Sequence, residues 1–230
     1  MLLATKKVVV IGGSSGIGEA TARLALEHGA DVAILSQSEE NLREAAQRLG
    51  TVETCAIDVR DERALAYCIE GIAPFHHLVF TASDHTSAPF IDTVLADAQK
   101  MFKVKFWGAF SAAQSAASVL PEDGSITLLS GIAAQMPVPG LSVVAAMNGA
   151  IEALVRSLAV ELKPIRVNAV APGYIDSRGV SEELAQRLTS TLPVQRIGRP
   201  EDAASAVIFA MTNPYVTGTT IRVDGGRSLV

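Results

Sequence analysis

Short β-branched runs alternate along the chain with helix-length segments, a rhythm that predicts a parallel sheet covered on both faces. Strands are predicted at 7–12 (KVVVIG), 31–36 (DVAILS), 52–57, 77–82 (HLVFTA), 124–130 (GSITLLS), 165–170 (IRVNAV) and 219–223. Helices are predicted at 16–29, 39–49, 61–71, 92–119, 142–163, 181–190 and 200–212. No break in composition, repeat or low-complexity tract interrupts the series, so one domain is expected over 1–230. The fold class is α/β: a doubly wound domain with a seven-stranded, mainly parallel sheet and helices on both faces. Right-handed crossovers fix the winding, and ligands then belong at the carboxyl ends of the strands.

Two of the helices lack a clear polar face. The stretches SAAQSAASVL within 92–119 and GAIEALVRSLAVEL within 142–163 carry small or apolar residues almost all round. A helix apolar on every side is buried on every side. At least one of the two is therefore expected to pack on another subunit, giving a homodimer or homotetramer.

Composition narrows the partners. With 49% hydrophobic residues, 19% charged residues and a net charge of −5, the chain has no basic cluster for nucleic acid to land on. The opening MLLATKKVVVIGG runs straight into a strand, and no uncharged apolar run approaches the roughly 20 residues of a membrane span. A cytoplasmic protein is expected. Its two cysteines, Cys55 in a strand and Cys68 in a helix, then read as buried free thiols. No metal-ligand spacing occurs among the four histidines.

The chemistry begins where the first strand ends, at Gly12-Gly13-Ser14-Ser15-Gly16-Ile17-Gly18, with a helix following at once. This G-x-x-x-G-x-G turn suits a dinucleotide pyrophosphate: glycines let the backbone come close, and the helix start offers free N–H groups with partial positive charge. Gly12, Ser14, Ser15, Gly16, Ile17 and Gly18 are the expected contacts. The second strand ends in Ser36-Gln37-Ser38, with neither the acid that would bond a ribose 2′-hydroxyl nor an arginine for a 2′-phosphate. Three neutral donors favour NADP(H) over NAD(H). Asp58, followed by Val59 after the third strand, suits the adenine amino group; a helix N-cap is the rival reading, and both can hold.

With these residues in place the chain resembles the short-chain dehydrogenase/reductase family over essentially its whole length. The resemblance rests on GGSSGIG at 12–18, IDV at 57–59, GSITLLS at 124–130, RSLAVEL at 156–162, VNAVAPGYIDS at 167–177, RIGRPEDAASAVIFA at 196–210 and VTGTTIRVDGG at 216–226. It implies a Rossmann-type fold and a nicotinamide cofactor, with a dimer or tetramer built on the two apolar helices. It further implies that Pro172, Gly173, Tyr174, Ile175 and Ser177 flank the nicotinamide; Thr81, Ala82 and Ser83 are also expected at the cofactor, although the family's Asn-Asn-Ala-Gly segment here reads Phe80-Thr81-Ala82-Ser83.

The catalytic pattern departs from the resemblance. Where the family carries Asn, Ser and a Tyr-x-x-x-Lys pair, this chain has Lys105, Gly131, Val144 and Asn148. The absent tyrosine is the acid that protonates a developing alkoxide, worth roughly 10²–10⁴ in rate. Lys and Asn have in effect exchanged helices, which brings an ammonium to the same cavity from the other side. Lys105, Asn148 and His85 in the loop after the fourth strand are the candidate catalytic residues. Ser130 should face away by strand alternation, while His76 and His77 lie at the opposite edge. Two functions remain open. One is an atypical NADP(H)-dependent oxidoreductase for a small carbonyl or alcohol; the other is a non-catalytic dinucleotide-binding redox sensor or structural subunit. A non-redox lyase or isomerase is a weaker third.

Overall fold

A computed structural model describes every residue except Arg178 and Val180, and all but the side chain of Leu184. Seven strands run in chain order: β1 (Lys7–Ile11), β2 (Asp31–Ser36), β3 (Glu53–Ala56), β4 (His77–Phe80), β5 (Ser125–Leu129), β6 (Arg166–Pro172) and β7 (Thr220–Val223). Every pairing is parallel and the order is β3-β2-β1-β4-β5-β6-β7, so winding reverses between β1 and β4. At such a reversal the carboxyl-edge loops diverge and leave a crevice.

The helices are α1 (Gly16–Glu27), α2 (Glu39–Leu49), α3 (Glu62–Ile72), α4 (Leu95–Phe102), α5 (Gly108–Ala117), α6 (Ser142–Glu161), α7 (Glu182–Thr189) and α8 (Pro200–Thr212). Val8, Val9, Val10 and Ile11 of β1 are wholly buried, because both faces of the sheet are covered. One core sets β1, β4, β5 and β6 against α3, α5 and α6, with Leu65, Ile69, Ala112, Ile151 and Val155 among its members. The other sets the sheet against α1, α2 and α8, with Ala22, Leu42 and Val207 among its members.

The predicted helix 92–119 is where the structure departs most from the pattern. It is divided into a 3₁₀ turn at Phe90–Asp92, α4, a π-helical turn at Lys103–Trp107, and α5. A π turn inserts one residue per turn, so the side chains beyond it rotate around the axis without breaking the helix. Its middle residue is Lys105.

The expectation of free thiols is corrected. Cys55 of β3 and Cys68 of α3 form a disulfide, with Cα atoms 6.9 Å apart. The edge strand turns Cys55 toward the helix that follows it, and α3 carries Cys68 on its inner face. Helix α6 is long and apolar enough to cross a membrane by length and composition, with Glu152 and Arg156 inside it. Its Ile151 and Val155 sides pack in the core instead.

Candidate functional site

The turn after β1 is shaped by positions that admit no side chain. Gly12 has φ +86°, and a Cβ there would lie 2.5 Å from Thr81 Oγ1. A Cβ on Gly18 would run into the carbonyl oxygen of Gly12 and lie 2.6 Å from Thr81 Oγ1. The turn is therefore pinched against the start of the loop after β4, where Thr81 N–H and Oγ1–H both donate to Ile11 O at 2.8 and 3.0 Å. Ser14 Oγ donates to Ser36 Oγ at 2.9 Å, tying the turn to the end of β2. Ser15, at the N-cap of α1, makes no side-chain cap bond and is exposed. Its hydroxyl and the first N–H groups of α1 therefore face an anion position. Ser177 closes the other side, its Cβ 3.3 Å from where a Cβ of Gly16 would stand. The residues of this turn fit a dinucleotide pyrophosphate.

On the β2–β3 side the three neutral donors are already partnered. Ser36 accepts from Ser14, Gln37 Nε2 donates to Asp58 Oδ2 at 3.2 Å, and Ser38 Oγ caps α2 by accepting from Asn41 N–H at 3.2 Å. Asp58 does not cap a helix: Asp61 does that for α3, accepting from Ala64 N–H at 3.0 Å. Both oxygens of Asp58 accept instead from Arg60, whose hydrogen bonds hold the carboxyl below the usual carboxylate range. Val59, beside it, is buried against Gly108. The sequence reading missed two cations here. Arg60 is held on Asp58, and Arg48 of α2 reaches the turn itself, donating to Ser14 O at 3.4 Å and to both oxygens of Glu19 at 2.8–2.9 Å. Arg48 lies twelve positions beyond Ser36, and no local motif marks it.

At the centre of the sheet's carboxyl edge Lys105 and Asn148 meet. Lys105 is only 6% exposed, and its Nζ donates to Asn148 Oδ1 at 2.6 Å and to Ser130 O at 2.8 Å. Among the described residues no carboxylate pairs with it. Burial alone pushes its ammonium down to about 8. Gly131 lies beneath Asn148: a Cβ on Gly131 would stand 2.6 Å from Asn148 Nδ2. Val144, one helical turn before Asn148, is half-buried. Ser130 is nearer than expected: its side chain reaches α6, on the face of the sheet where Ile126 and Leu128 pack. Its carbonyl holds Lys105, while its hydroxyl donates to Glu152 Oε1 at 2.9 Å on α6.

His85 does not join this group. It is exposed in the loop after β4, and Asp84 beside it pairs with Lys100 at 2.9 Å. Ala82 and Ser83 continue from Thr81 along the mouth of the crevice, half-buried and exposed. Pro172 ends β6, and Gly173 packs so tightly on Asp224 that a Cβ would lie 2.8 Å from its Cα. Tyr174 is partly exposed under Arg227, 5.9 Å from the ring centroid, and Ile175 bridges to Gly198. Among the described residues no group of three or more His, Cys, Asp or Glu is placed to hold a metal.

A glycine turn at the switch point, with a polar group at the end of β5, defines a dinucleotide-binding enzyme fold of one kind. This chain belongs to the short-chain dehydrogenase/reductase family: the family model described as enoyl-(acyl carrier protein) reductase matches residues 11–228. Among its relatives, the short-chain dehydrogenase/reductase malC of Malbranchea aurantiaca is 33% identical, over 99% of this chain and 96% of that protein. Carbonyl reductase family member 4 of Danio rerio is 30% identical, over 98% and 99%. A solved small-chain dehydrogenase in complex with NADPH superposes with a TM-score of 0.86 at 37% identity, covering 98% of this chain and 99% of its own.

Proposed function

We propose that this chain is an NADP(H)-dependent oxidoreductase that reduces small, reactive carbonyl compounds, or oxidises the corresponding alcohols, at a rearranged site built on Lys105 and Asn148. The observation that carries the reading is a buried ammonium held by an amide at the carboxyl edge of β5, beside a turn too tight for any side chain at Gly12 or Gly18. Burying an unpaired cation is unfavourable, and such a group is kept where its charge is used. NADP(H) is favoured over NAD(H) because Ser36 replaces an acid and Arg48 and Arg60 supply positive charge nearby. The NADPH complex of the 37%-identical structure supports the same choice.

The nicotinamide, when bound, supplies or accepts the hydride. The chain's own residues grip the pyrophosphate at Ser14–Ile17, close the crevice with the 173–177 segment, and hold hydrogen-bond donors near the reacting oxygen. With valine and glycine at positions 144 and 131, no phenol delivers a proton, so only carbonyls that accept hydride readily are turned over well. His85 makes no hydrogen bond with Lys105 or Asn148 and is assigned no step. The same two positions favour a second reading, a dinucleotide sensor without turnover.

Fluorescence titration with NADPH and NADH, followed by dihydronicotinamide absorbance over a panel of quinones and 1,2-diketones, separates the readings. Tight NADPH binding with turnover of at least one member supports the oxidoreductase; binding without turnover across the panel supports the sensor. We extend the reading to a homodimer or homotetramer. The exposed rings of Trp107 and Phe110, continuous with Phe106 and Phe102, favour a second copy of the chain as the partner. Light scattering on the intact protein tests the assembly.

A further inference from the structure

Resting on the oxidoreductase reading, we infer that the group touching the substrate's carbonyl oxygen is the side-chain amide nitrogen of Asn148, with Lys105 acting behind it as a positioning residue. The orientation of the amide follows from its neighbour. An ammonium only donates, so the Asn148 atom 2.6 Å from Lys105 Nζ is the oxygen, and the nitrogen points the other way. That nitrogen lies over Gly131: a Cβ there would meet Nδ2 at 2.6 Å, but Oδ1 only at 3.6 Å.

The amide nitrogen has no partner among the described residues, and Asn148 as a whole is 2% exposed. The side-chain polar atoms that are both enclosed and unpartnered are Thr127 Oγ1 and Arg227 Nε. Asn148 Nδ2 is not among them, so its N–H groups open on the crevice rather than on packed protein. One end of the amide is clamped by Lys105 and the other is a donor facing the crevice, where water or a ligand's carbonyl oxygen can accept from it. The same amide fills the room above Gly131 where the resemblance places a serine side chain.

Lys105 is turned away from that opening. Its Nζ is spent on Asn148 Oδ1 and Ser130 O, and it lies behind the amide as seen from Gly131. Its charge polarises the amide and makes the Nδ2 hydrogens better donors. An amide donates a hydrogen bond but gives up no proton. On reduction, hydride adds to the carbonyl carbon and the C=O π pair moves onto oxygen, where the amide holds it. The alkoxide then takes its proton from solvent water, which leaves as hydroxide. This chemistry suits carbonyls whose reduction does not depend on prior protonation, such as quinones and 1,2-diketones.

The test uses the whole protein, ¹⁵N-labelled and saturated with NADPH, with isobutyramide as a probe whose carbonyl oxygen accepts hydrogen bonds but is not reduced. The Asn148 side-chain NH₂ resonances, assigned by their loss in Asn148→Asp, are expected to move downfield as isobutyramide is added. Asn148→Asp keeps the shape, pairs with Lys105 and removes the donor, so isobutyramide should bind it at least about tenfold more weakly, the equivalent of one lost hydrogen bond. Lys105→Met frees the amide to turn over, and the downfield shift should disappear while the circular dichroism stays native. With 9,10-phenanthrenequinone, Asn148→Ala should lower kcat/KM by about 10²–10³, the range for losing one oxyanion donor. Resonances that stay put with isobutyramide at its solubility limit, or equal affinity in Asn148→Asp, overturn the assignment. NADPH binding without any such shift rejects the donor alone, whereas failure to bind NADPH rejects the oxidoreductase reading beneath it.

Discussion

Lys105→Met isolates the cost of keeping a cation inside the protein. The side chain lies between the π turn and the end of β5, with one amide and one backbone carbonyl for company. Its value falls from 10.5 to about 8 because burial disfavours the charged form. At about 1.4 kcal/mol per unit, ionised Lys105 weakens the native state by about 3 kcal/mol. The sign follows from the depressed folded value. Below pH 8 both folded and unfolded chains carry the proton and the penalty is complete. Between pH 8 and 10.5 only the unfolded chain carries it, so stability rises with pH until the penalty is gone.

Methionine fills the same volume without charge, but it leaves Ser130 O and Asn148 Oδ1 without their donor, a loss of about 1–3 kcal/mol each that does not vary with pH. Urea unfolding of wild type and Lys105→Met at matched concentrations, at each half unit from pH 7 to 10.5, gives the difference directly. Wild type should gain about 3 kcal/mol on the variant across that window. Parallel curves would mean that Lys105 is solvated in solution and that its burial explains neither its chemistry nor its place.

His77 gives the acid counterpart. Burial, with Arg166 close by, pushes it down to about 3, and its Nδ1 lies 2.8 Å from Ser125 Oγ. Wild type should therefore lose stability as pH falls from 6.5 toward 3, with a ceiling of about 5 kcal/mol, and His77→Leu should flatten that slope in urea titrations. Gly18→Ala places a methyl on the Gly12 carbonyl and on Thr81, so NADPH affinity should drop at least about tenfold in fluorescence titrations while circular dichroism stays native. Ser36→Asp removes the partner of Ser14 and adds an acid at the end of β2; the ratio of NADPH to NADH affinity should fall at least about tenfold. An unchanged ratio would place the phosphate contacts elsewhere.

The sheet was legible because buried parallel strands must be continuously apolar, and runs such as KVVVIG and DVAILS resemble nothing else at that length. The phosphate turn was legible for a related reason: glycine is required at Gly12 and Gly18 by contacts that any side chain would violate. The π turn was not, since one inserted residue leaves the apolar pattern of a helix almost unchanged while rotating Lys105 inward. Lys105 and Asn148 lie 43 positions apart, and only the resemblance suggested that they share a cavity; their hydrogen bond is a property of the fold. Arg48 was overlooked because so long a side chain acts far along the chain from where it is attached, whereas Arg60 stands only two positions after Asp58 and was legible there. The disulfide was misread because spacing says nothing of which face of an edge strand looks at its helix.

The most direct measurement is a crystal structure of the protein grown with NADPH. The expected result is a pyrophosphate on the Ser14–Ile17 backbone and a nicotinamide ring whose reactive carbon faces the Asn148 amide across Gly131. A turn left empty by bound dinucleotide, or a tyrosine hydroxyl beside that carbon, would contradict it.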